Sequence, residues 1–401
     1  MRRTELSGGV RERLVRLPPP YEHHYGVLPL PLPEKGIPLG EVTALHSQAQ
    51  LALGQVEEIA RSLPDPYQIS RILSRREAVS SSAMEGTHST LDELLIADED
   101  GDEAGQGQAV RQVRDYALAL ERFVPSAVTQ GRQIFQVDLI QNLHRRVLGH
   151  DAAYRNTPGD FRQEVVWIGG NGHIAYSVYN PPPPTEVPHF LEATLDYMRE
   201  DGMQMMTQSL ITRMALAHAH FEAVHPFRDG NGRVGRLLLP LMMAAEKQVP
   251  LYLSPYIELH KQAYYEALKQ AQQKLLWLPL IGFMSSAIVQ TVQELCVTRE
   301  ALRTLHAVWL TRRTFRKGSA ALRALEILAA YPVVTAPRLG TLLSISPPAA
   351  HTAISQLCQT GILRERTGYA RNRIYAADDV LGILNRPFSE EPIVPKTDRS
   401  R

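Results

Sequence analysis

The residues best able to do chemistry lie in one stretch of twelve, HPFRDGNGRVGR, at positions 225–236. We expect a loop that leads into a helix, because the apolar run LLLPLMMAA follows directly. Gly230 and Gly232 permit unusual backbone angles, at which successive N–H groups point into one concavity. The free N–H groups of a helix start attract phosphate, and Arg233 and Arg236 add two full positive charges on one helical face. These residues predict a polyphosphate site.

Two further side chains of this stretch can act beside a bound phosphate. His225 is the nearby group that titrates closest to neutrality, so it is the candidate general base. Asp229 places a hard oxygen ligand next to the anion site. This suits Mg²⁺, because the ion keeps several of its waters and takes few protein ligands. The two side chains therefore predict a base and a magnesium site.

Three other interpretations compete for this region. The string Gly230-x-Gly232-x-x-Gly235 fits a dinucleotide fingerprint, but it follows a helix and a loop instead of a strand. A zinc site could use side chains just before and within the stretch, although no HExxH occurs and packed or solvated helix histidines are the simpler interpretation. Its candidate ligands are His218, His220, Glu222 and His225. A capped turn alone would not need both arginines, the histidine and the aspartate, so phosphate binding is favoured.

The stretch resembles the Fic family, because it matches the signature HPFx[D/E]GNGRxxR throughout. The resemblance covers roughly residues 40–300. It implies an all-helical core with a small β-hairpin flap. It also implies an enzyme that transfers AMP from ATP to a Ser, Thr or Tyr hydroxyl of a target protein and releases pyrophosphate.

The resemblance also implies a role for individual residues. His225 would deprotonate the hydroxyl of the target, Asp229 would bind Mg²⁺, and Arg236 would hold the γ-phosphate. The anion hole would be formed by Gly230, Asn231, Gly232 and Arg233. The flap, in VVWIGGNG, would bring Ile168, Gly169 and Gly170 near the nucleotide and the backbone of the target. Tyr264, in AYYEAL, would contact the adenine side.

A second motif, SSAMEG at positions 81–86, resembles the inhibitory pattern [S/T]xxxE[G/N]. Ser81 and Glu85 share one helical face, and Gly86 can end that helix. The resemblance implies that Glu85 pairs with Arg236 and competes with the γ-phosphate for its guanidinium. The chain is therefore expected to be autoinhibited by an inhibitory helix on the N-terminal side of its own catalytic core.

The composition limits the class of protein. The 43 Lys and Arg residues nearly balance the 42 Asp and Glu residues, so the net charge of +1 gives no bulk attraction to nucleic acid or membrane. Only Cys296 and Cys358 occur, which argues against a disulfide framework and for a reducing compartment. We find no signal-peptide pattern and no uninterrupted apolar stretch that could span a bilayer. The expected location is the cytoplasm, with no membrane partner.

The elements that must position these residues are mainly helical. Apolar spacing predicts helices on both sides of the flap, which itself alternates like a β-hairpin. The chain is expected to divide into a proline-rich N-terminal arm (1–40), a helical region with the inhibitory helix (41–125), the catalytic core (126–300), a linker helix (301–317), a winged-helix-like domain (318–386) and a loose tail (387–401).

The C-terminal segment resembles a winged helix-turn-helix, with three helices and a two-stranded wing. Its expected recognition helix, AAHTAISQLCQTG, has no Arg or Lys, although DNA binding needs several cations that neutralise phosphates. The wing contains Arg364, Arg366, Arg371 and Arg373. Specific DNA binding is therefore possible but not favoured, and a module for partner docking or dimerisation is preferred.

The expected partners are ATP, a protein substrate that could be the chain itself, and a second copy in a homo-oligomer. Two alternatives stay open. One is a different reaction of the same family, which would use another nucleotide, transfer phosphate or remove AMP. The other is a DNA-binding regulator that uses the winged helix.

Overall fold

The computed structural model describes residues 1–33, 35–61, 66–99, 105–200, 208–368 and 373–395. About 62% of the chain is helical, which confirms the mainly α fold class. The helices, in chain order, are α1 (Gly8–Arg11), α2 (Thr43–Arg61), α3 (Pro66–Met84), α4 (Leu91–Glu99), α5 (Gln108–Gln130), α6 (Val137–Leu148), α7 (Val187–Arg199), α8 (Leu210–Val224), α9 (Asn231–Ala245), α10 (Ser254–Leu259), α11 (Lys261–Lys274), α12 (Leu278–Arg312), α13 (Ala320–Ile327), α14 (Ala336–Leu343), α15 (Pro347–Gln359) and α16 (Asp378–Leu384). The strands are β1 (Leu14–Arg16), β2 (Tyr25–Val27), β3 (Val333–Thr335), β4 (Arg364–Glu365) and β5 (Ile374–Ala376).

The chain forms two compact units that are discontinuous in sequence. The first consists of Met1–Leu63, Ser80–Thr87 and Asp115–Val292. The second consists of Pro64–Val79, His88–Arg114 and Gln293–Arg401. The segment SSAMEG thus belongs to the unit that contains the signature stretch.

Two buried helices form the centre of the first unit. α8 begins where the Ser209 hydroxyl caps it by accepting a bond from the Thr212 N–H, and every residue of α8 is buried. α9 packs against α8 and continues through Pro240, which lacks an N–H donor. The amphipathic α6, which buries Leu143 and Val147 along one face, packs against α9.

The proline-rich N-terminal arm is more structured than its sequence predicts. β1 and β2 pair antiparallel, with Leu14 opposite Val27. Val10 and Val27 are buried in a cluster that includes Tyr179. Apolar burial therefore holds this segment in the first unit.

The predicted β-hairpin flap is wrong in one respect, since its paired part is a single antiparallel bridge between Ile168 and Tyr179. Gly169, Gly170 and Gly172 all have positive φ, which makes a wide turn. The returning chain then forms a 3₁₀ turn at Ile174–Tyr176. Beyond the bridge the N–H of Val27, in β2, donates to the Asn180 carbonyl. The returning segment therefore bonds to the N-terminal hairpin instead of extending the flap.

The second unit contains α13, β3, α14, α15, β4 and β5 in that order. Its antiparallel sheet has the strand order β3-β5-β4, so the predicted two-stranded wing is part of a three-stranded sheet. The sequence prediction missed β3, whose three residues are all buried and carry no alternation of polar side chains. Trp309, Leu325 and Leu357 lie in one buried cluster beneath these elements.

The long helix α12 differs from two expectations. It has no break near residue 300, so the predicted linker helix is its last part and the helix ends at Arg312. Its length and apolar composition would also allow it to cross a membrane, contrary to the expectation that no stretch could do so. Half of its most apolar window is buried inside the protein, as in a core helix.

Candidate functional site

His225 lies at the turn between α8 and the signature loop, in a conformation that is uncommon for a residue with a side chain. It has φ 50° and ψ 63°, in the left-handed region, and its N–H closes α8 by donating to the Phe221 carbonyl at 3.0 Å. Burial first, and then the charge of Arg162, lower the pKa of His225 to about 4. The imidazole is therefore neutral at pH 7, as a general base must be.

Arg162 fastens the backbone around this histidine. Its side chain is buried, and within the described part of the chain its guanidinium donates only to carbonyl oxygens, among them those of His225 at 2.8 Å, Pro182 at 2.7 Å and Val224 at 3.3 Å. The N–H of Arg162 also donates to the Pro226 carbonyl at 3.0 Å. Arg162 thus holds three successive carbonyls and stabilises the strained turn.

A second buried residue, His144 on α6, supports the loop from the opposite side. Its ring stacks on Phe227 with centroids 3.7 Å apart. The N–H of Gly159 donates to Nδ1 at 2.7 Å, so Nε2 carries the proton and donates to the Asp229 carbonyl at 3.0 Å. Burial lowers the pKa of His144 to about 4, which keeps this arrangement neutral.

Asn231 closes the loop instead of facing a ligand with its side chain. Its amide oxygen accepts from the Phe227 N–H and its amide nitrogen donates to the Phe227 carbonyl, both at 2.9 Å. Only the backbone N–H of Asn231 is left for an anion. The predicted role in the anion hole is therefore limited to its main chain.

The start of α9 has the features of an anion site. Gly230 has φ 78° and no side chain caps the helix, so its first N–H groups lack a side-chain acceptor. Arg233 is buried, and its Nε finds no hydrogen-bond partner among the residues that the structure describes. Such an orphaned donor beside a helix start marks a place for an anionic ligand.

Gly232 lacks the unusual backbone angles that the sequence predicts for it, while its place in the anion hole stays a prediction. It lies within α9 with helical backbone angles, so it supplies no unusual conformation. A Cβ at this position would come within 2.4 Å of Glu85 Oε1 and 2.9 Å of an Arg236 nitrogen. Glycine is therefore required here for space.

Arg236 is held by the segment predicted to be inhibitory. Its side chain is 1% exposed. Its Nε donates to Ser81 Oγ at 2.8 Å, and one terminal nitrogen donates both to the Ser81 carbonyl at 2.9 Å and to Glu85 Oε1 at 2.7 Å. Burial is the largest single influence on the pKa of Glu85 and would raise it, but the charge and hydrogen bond of Arg236, together with the charges of Arg233 and Lys261, hold the pKa below its ordinary value. Ser81, Glu85 and Arg236 thus form one charged, hydrogen-bonded group.

The end of α3 is fixed in the same region. Gly86 follows α3 with φ 83°, which suits the predicted helix end. Lys261 Nζ donates to the Met84 carbonyl at 2.7 Å, so a cation satisfies one of the last carbonyls of α3. Both features keep Glu85 next to Arg236.

Asp229 is exposed, and one of its carboxylate oxygens accepts from the Gly230 N–H at 2.6 Å. The described residues contain no cluster of three or more metal-ligating side chains. A single exposed carboxylate fits Mg²⁺ bound mainly through water and phosphate, whereas it does not fit a zinc site. His218 and His220 are instead packed in the core, as the simpler interpretation expected.

Tyr264 is buried, and its hydroxyl donates to His218 Nε2 at 2.5 Å, while His218 Nδ1–H donates to the Gly235 carbonyl at 3.2 Å. The hydroxyl is therefore used inside the core. The predicted contact of Tyr264 with adenine stays a prediction.

The flap residues show why glycine is needed there. A Cβ on Gly170 would lie 2.6 Å from the His173 carbonyl, and one on Gly169 would lie 2.8 Å from a methyl of Val178. Ile168 is partly exposed, and the Gln273 amide of α11 donates to the Val178 carbonyl at 2.6 Å. The flap is thus a glycine-rich turn with no room for a side chain at Gly169 or Gly170, and it is tied to α11.

Two stretches of the chain match known protein families. Residues 43–123 match the family described as Fic/DOC family N-terminal, and residues 134–243 match the Fic/DOC family. The second match contains the signature stretch, the flap, Arg162 and His144.

Curated relatives with similar sequences are named protein adenylyltransferase Fic. The one from Drosophila willistoni is 27% identical over 171 residues, which are 43% of this chain and 31% of the relative. The one from Nematostella vectensis is 29% identical over 171 residues, or 43% of this chain and 36% of the relative. The chain spans about a third of the length of these relatives.

Two solved structures are also similar. A Fic family protein from Desulfovibrio desulfuricans is 20% identical, with a TM-score of 0.49 over 86% of this chain and 98% of that one. Fic-1 from C. elegans is 21% identical, with a TM-score of 0.49 over 65% of this chain and 74% of that one.

Proposed function

Because this chain belongs to the Fic/DOC family over its Fic N-terminal and Fic regions, we propose that it transfers AMP from ATP to a hydroxyl group of a target protein. His225 takes the proton of a Ser, Thr or Tyr hydroxyl, and the hydroxyl oxygen forms a bond to the α-phosphorus. The bond between the α-phosphorus and the bridging oxygen breaks, and pyrophosphate leaves with that electron pair. The observation that carries this proposal is a neutral, largely buried imidazole fixed beside the uncapped start of α9 and the unpaired Nε of Arg233.

The first turn of α9 binds and orients the phosphates in this mechanism. Its N–H groups and Arg233 face the charge that develops on the phosphoryl oxygens. Asp229 would hold Mg²⁺, which when bound neutralises phosphate charge. His144 keeps Asp229 in place through its carbonyl. Arg162 keeps His225 turned back at the end of α8.

We further propose that the protein is autoinhibited. Arg236 cannot donate to a γ-phosphate with the nitrogen that holds Glu85, and Glu85 Oε1 fills the space above Gly232. A charge-assisted hydrogen bond of this kind contributes about 1.5–3 kcal/mol, which corresponds to a shift of roughly 10- to 100-fold between two nucleotide poses. The pair thus favours a bound ATP whose α-phosphate is not aligned for attack.

The decisive experiment compares three proteins with ATP labelled at the α-phosphate. We expect Glu85→Gly to label protein at least about 10-fold faster than the natural sequence, because Arg236 is freed for the γ-phosphate. His225→Ala in the Glu85→Gly background is expected to lower the rate by about 10²–10⁴-fold, the usual contribution of a general base. Intact mass spectrometry checks whether the product has gained one AMP. Equal labelling by all three proteins would contradict the proposal.

Two related reactions are separated by the same assay. Transfer of label from the γ-phosphate would show phosphate transfer, and a panel of the other nucleoside triphosphates would show a different nucleotide preference. Release of AMP from a modified target would show removal, with Glu85 orienting water. The retention of Arg233, Arg236 and both glycines of GNG favours adenylyl transfer.

For the second unit we propose a winged helix-turn-helix that docks a protein partner or a second copy of the chain. Its element order and three-stranded sheet support this interpretation. The arginines expected to touch DNA are paired within the unit, Arg364 and Arg366 with Asp378 at 3.5 and 2.6 Å and Arg373 with Glu365 at 3.2 Å. Arg371 lies outside the described residues. We expect no salt-dependent shift of DNA from the chain's own promoter, and a sequence-selective shift would favour the regulator instead.

A further inference from the structure

One buried carboxylate next to the base has no role in the mechanism above. Glu222 lies in the last turn of α8, three residues before His225, and its side chain is 9% exposed. Its Oε2 lies 3.9 Å from His225 Nδ1, and its Oε1 is buried without a hydrogen-bond partner among the described residues. A carboxylate buried without a donor is costly, so its presence needs a reason.

The opposite helix leaves room for this carboxylate. A Cβ on Gly235 of α9 would lie 2.5 Å from Glu222 Oε1. Gly235 has helical angles, so its missing side chain serves space and not conformation. The glycine at this position, which the signature leaves unspecified, therefore accommodates Glu222.

Two acceptors of Glu222, its carbonyl and its carboxylate, lie near His225 Nδ1, but both distances are long for hydrogen bonds. The Glu222 carbonyl lies at 3.4 Å and the carboxylate at 3.9 Å. Catalytic bonds of this kind are often loose without substrate and tighten in the reacting complex. Both acceptors favour the tautomer with the proton on Nδ1, which leaves Nε2 free to accept a proton.

We propose that Glu222 is a positioning residue for His225: its carboxylate keeps the proton on Nδ1 and stabilises the imidazolium that forms when Nε2 takes the hydroxyl proton of the target. The proposal rests on the proposed function, since it assigns the base a partner in that reaction. Glu222 itself touches neither ATP nor the target hydroxyl. The stabilisation is electrostatic and acts only after the charge has formed, so it lowers the barrier without changing nucleotide affinity.

The charge of Glu222 changes near neutral pH. Burial raises its pKa to about 7, while Arg236 lowers it and Glu85 raises it. The other titratable groups that face it are His218 on α8, His225 just after α8, and Tyr264 and Tyr265 on α11. Because a carboxylate with a raised pKa is protonated below that pH and ionised above it, the assistance to His225 is present above about pH 7 and is lost below it.

The test uses the full chain with Glu85→Gly as the active parent, and adds Glu222→Gln, which copies the protonated carboxyl in shape. Initial rates of AMP transfer are measured from about pH 5.5 to 8.5. We expect the kcat of the parent to rise as pH increases towards about 7, and this rise to be absent from Glu222→Gln. At high pH the variant should be about 10-fold slower or more, within the 10²–10⁴-fold that a base contributes, with the KM for ATP unchanged.

The matched control is Glu300→Gln, which removes a carboxylate that is 70% exposed and lies in the second unit. It should leave the pH profile of the parent unchanged. If Glu222→Gln keeps the rise towards pH 7 and the rate of the parent, the proposal is wrong.

A second measurement is independent of activity. The ring nitrogen signals of His225 can be followed by NMR in protein with labelled histidine, with His225→Ala to assign them. The pKa of His225 is about 4, a pH at which Glu222 is protonated, so the charge of Glu222 has to be read at higher pH. In the parent the His225 signals should shift near pH 7, when the carboxylate beside Nδ1 becomes charged, and Glu222→Gln should lack this shift. A shift near pH 7 that persists in Glu222→Gln, or that is absent from the parent, would overturn the proposal even if the variant were inactive for another reason. If the parent transfers no AMP at any pH, the proposed function fails, while the NMR titration still decides the role of Glu222.

Discussion

The proposed base, His225, is held in place by Arg162, whose side chain contacts the backbone around it. Arg162 donates to carbonyls on both sides of the turn at His225, and its charge is one cause of the lowered pKa of His225. Arg162 therefore has two separable effects: its forked donors hold the geometry, and its positive charge keeps the imidazole neutral at lower pH.

The two effects of Arg162 predict different results for two substitutions. In the Glu85→Gly background, Arg162→Lys keeps the charge and loses the forked donors, so kcat should fall by roughly 10²-fold, as for a misplacement of about 1 Å. The pKa of His225 should stay close to its original value. Arg162→Met also loses the charge, so the pKa of His225 should rise from about 4. The loss of activity caused by protonation of His225, which lies below the rise assigned to Glu222, should then begin at higher pH.

The measurement is the pH dependence of AMP transfer together with the pKa of His225 by NMR. A pKa of His225 that is the same in Arg162→Met and Arg162→Lys would contradict the electrostatic part. Thermal unfolding of both variants controls for loss of the fold.

The residues of the signature could be predicted from the sequence, and their supports could not. The roles proposed for His225, Asp229, Arg233 and Arg236 rest on side-chain chemistry that the stretch itself displays. Arg162 and His144 act on backbone carbonyls that lie far away in the chain, and no local spacing or periodicity encodes such a contact.

At the scale of elements, α9 lets neighbouring side chains approach closely at two of its glycines. Gly232 leaves space for Glu85 and Gly235 for Glu222, since a Cβ at these two glycines would lie 2.4 and 2.5 Å from the respective carboxylate oxygens. Sequence reasoning attributed Gly232 to backbone flexibility, because the close approach of another helix is not visible in the sequence. Gly230, by contrast, has the positive φ that the sequence predicted.

A pair of substitutions separates space from helix propensity. Gly235→Ala should lower the free energy of unfolding by about 1–3 kcal/mol, since the new methyl collides with Glu222 and with the buried ring of Phe221. Gly54→Ala is the matched control, because it is exposed in α2 and a Cβ there meets nothing within 4 Å. It should stabilise by up to about 1 kcal/mol through helix propensity. Urea unfolding measures both, and equal effects would contradict the crowding at Gly235.

The alternation of apolar and polar residues predicts the strands of this protein poorly. The alternation around VVWIGG predicted a hairpin, yet the carbonyl of Asn180 accepts from β2 and leaves the flap a single bridge. β3 is buried on both faces and shows no alternation. Helices with long apolar faces, such as α6 and α15, lie where their spacing predicts them.

At the scale of the whole molecule, the first unit contains several buried histidines that are neutral at pH 7. Burial is the largest cause that lowers the pKa of His144, His220 and His225 to about 4 and that of His218 to about 3. Their ordinary pKa in an unfolded chain is near 6.5, so the unfolded state binds more protons below that pH. The stability they contribute is fully present above about pH 6.5 and is lost as pH falls towards 4.

We therefore expect the free energy of unfolding to drop steeply between pH 6.5 and 4, with each histidine adding up to roughly 1.4 kcal/mol per pH unit. Glu222, whose raised pKa favours the folded state at lower pH, opposes part of this change. Urea unfolding at several pH values measures the slope. His220→Gln should lessen it, because it removes one buried histidine away from the loop, whereas His23→Gln at the exposed arm should not. A free energy that is constant from about pH 7 to 5 would contradict this account.

The turn fastened by Arg162 has a consequence for how this protein starts to work. The imidazole, its backbone and the helix start are in place while Glu85 is paired with Arg236, so on the proposed autoinhibition nothing in the loop has to be rebuilt for activity to begin. On that proposal, the contact between Glu85 and Arg236 is what keeps the assembled site inactive. Its onset after release should follow the breaking of a single ion pair, without a lag, and its shutdown should be equally quick.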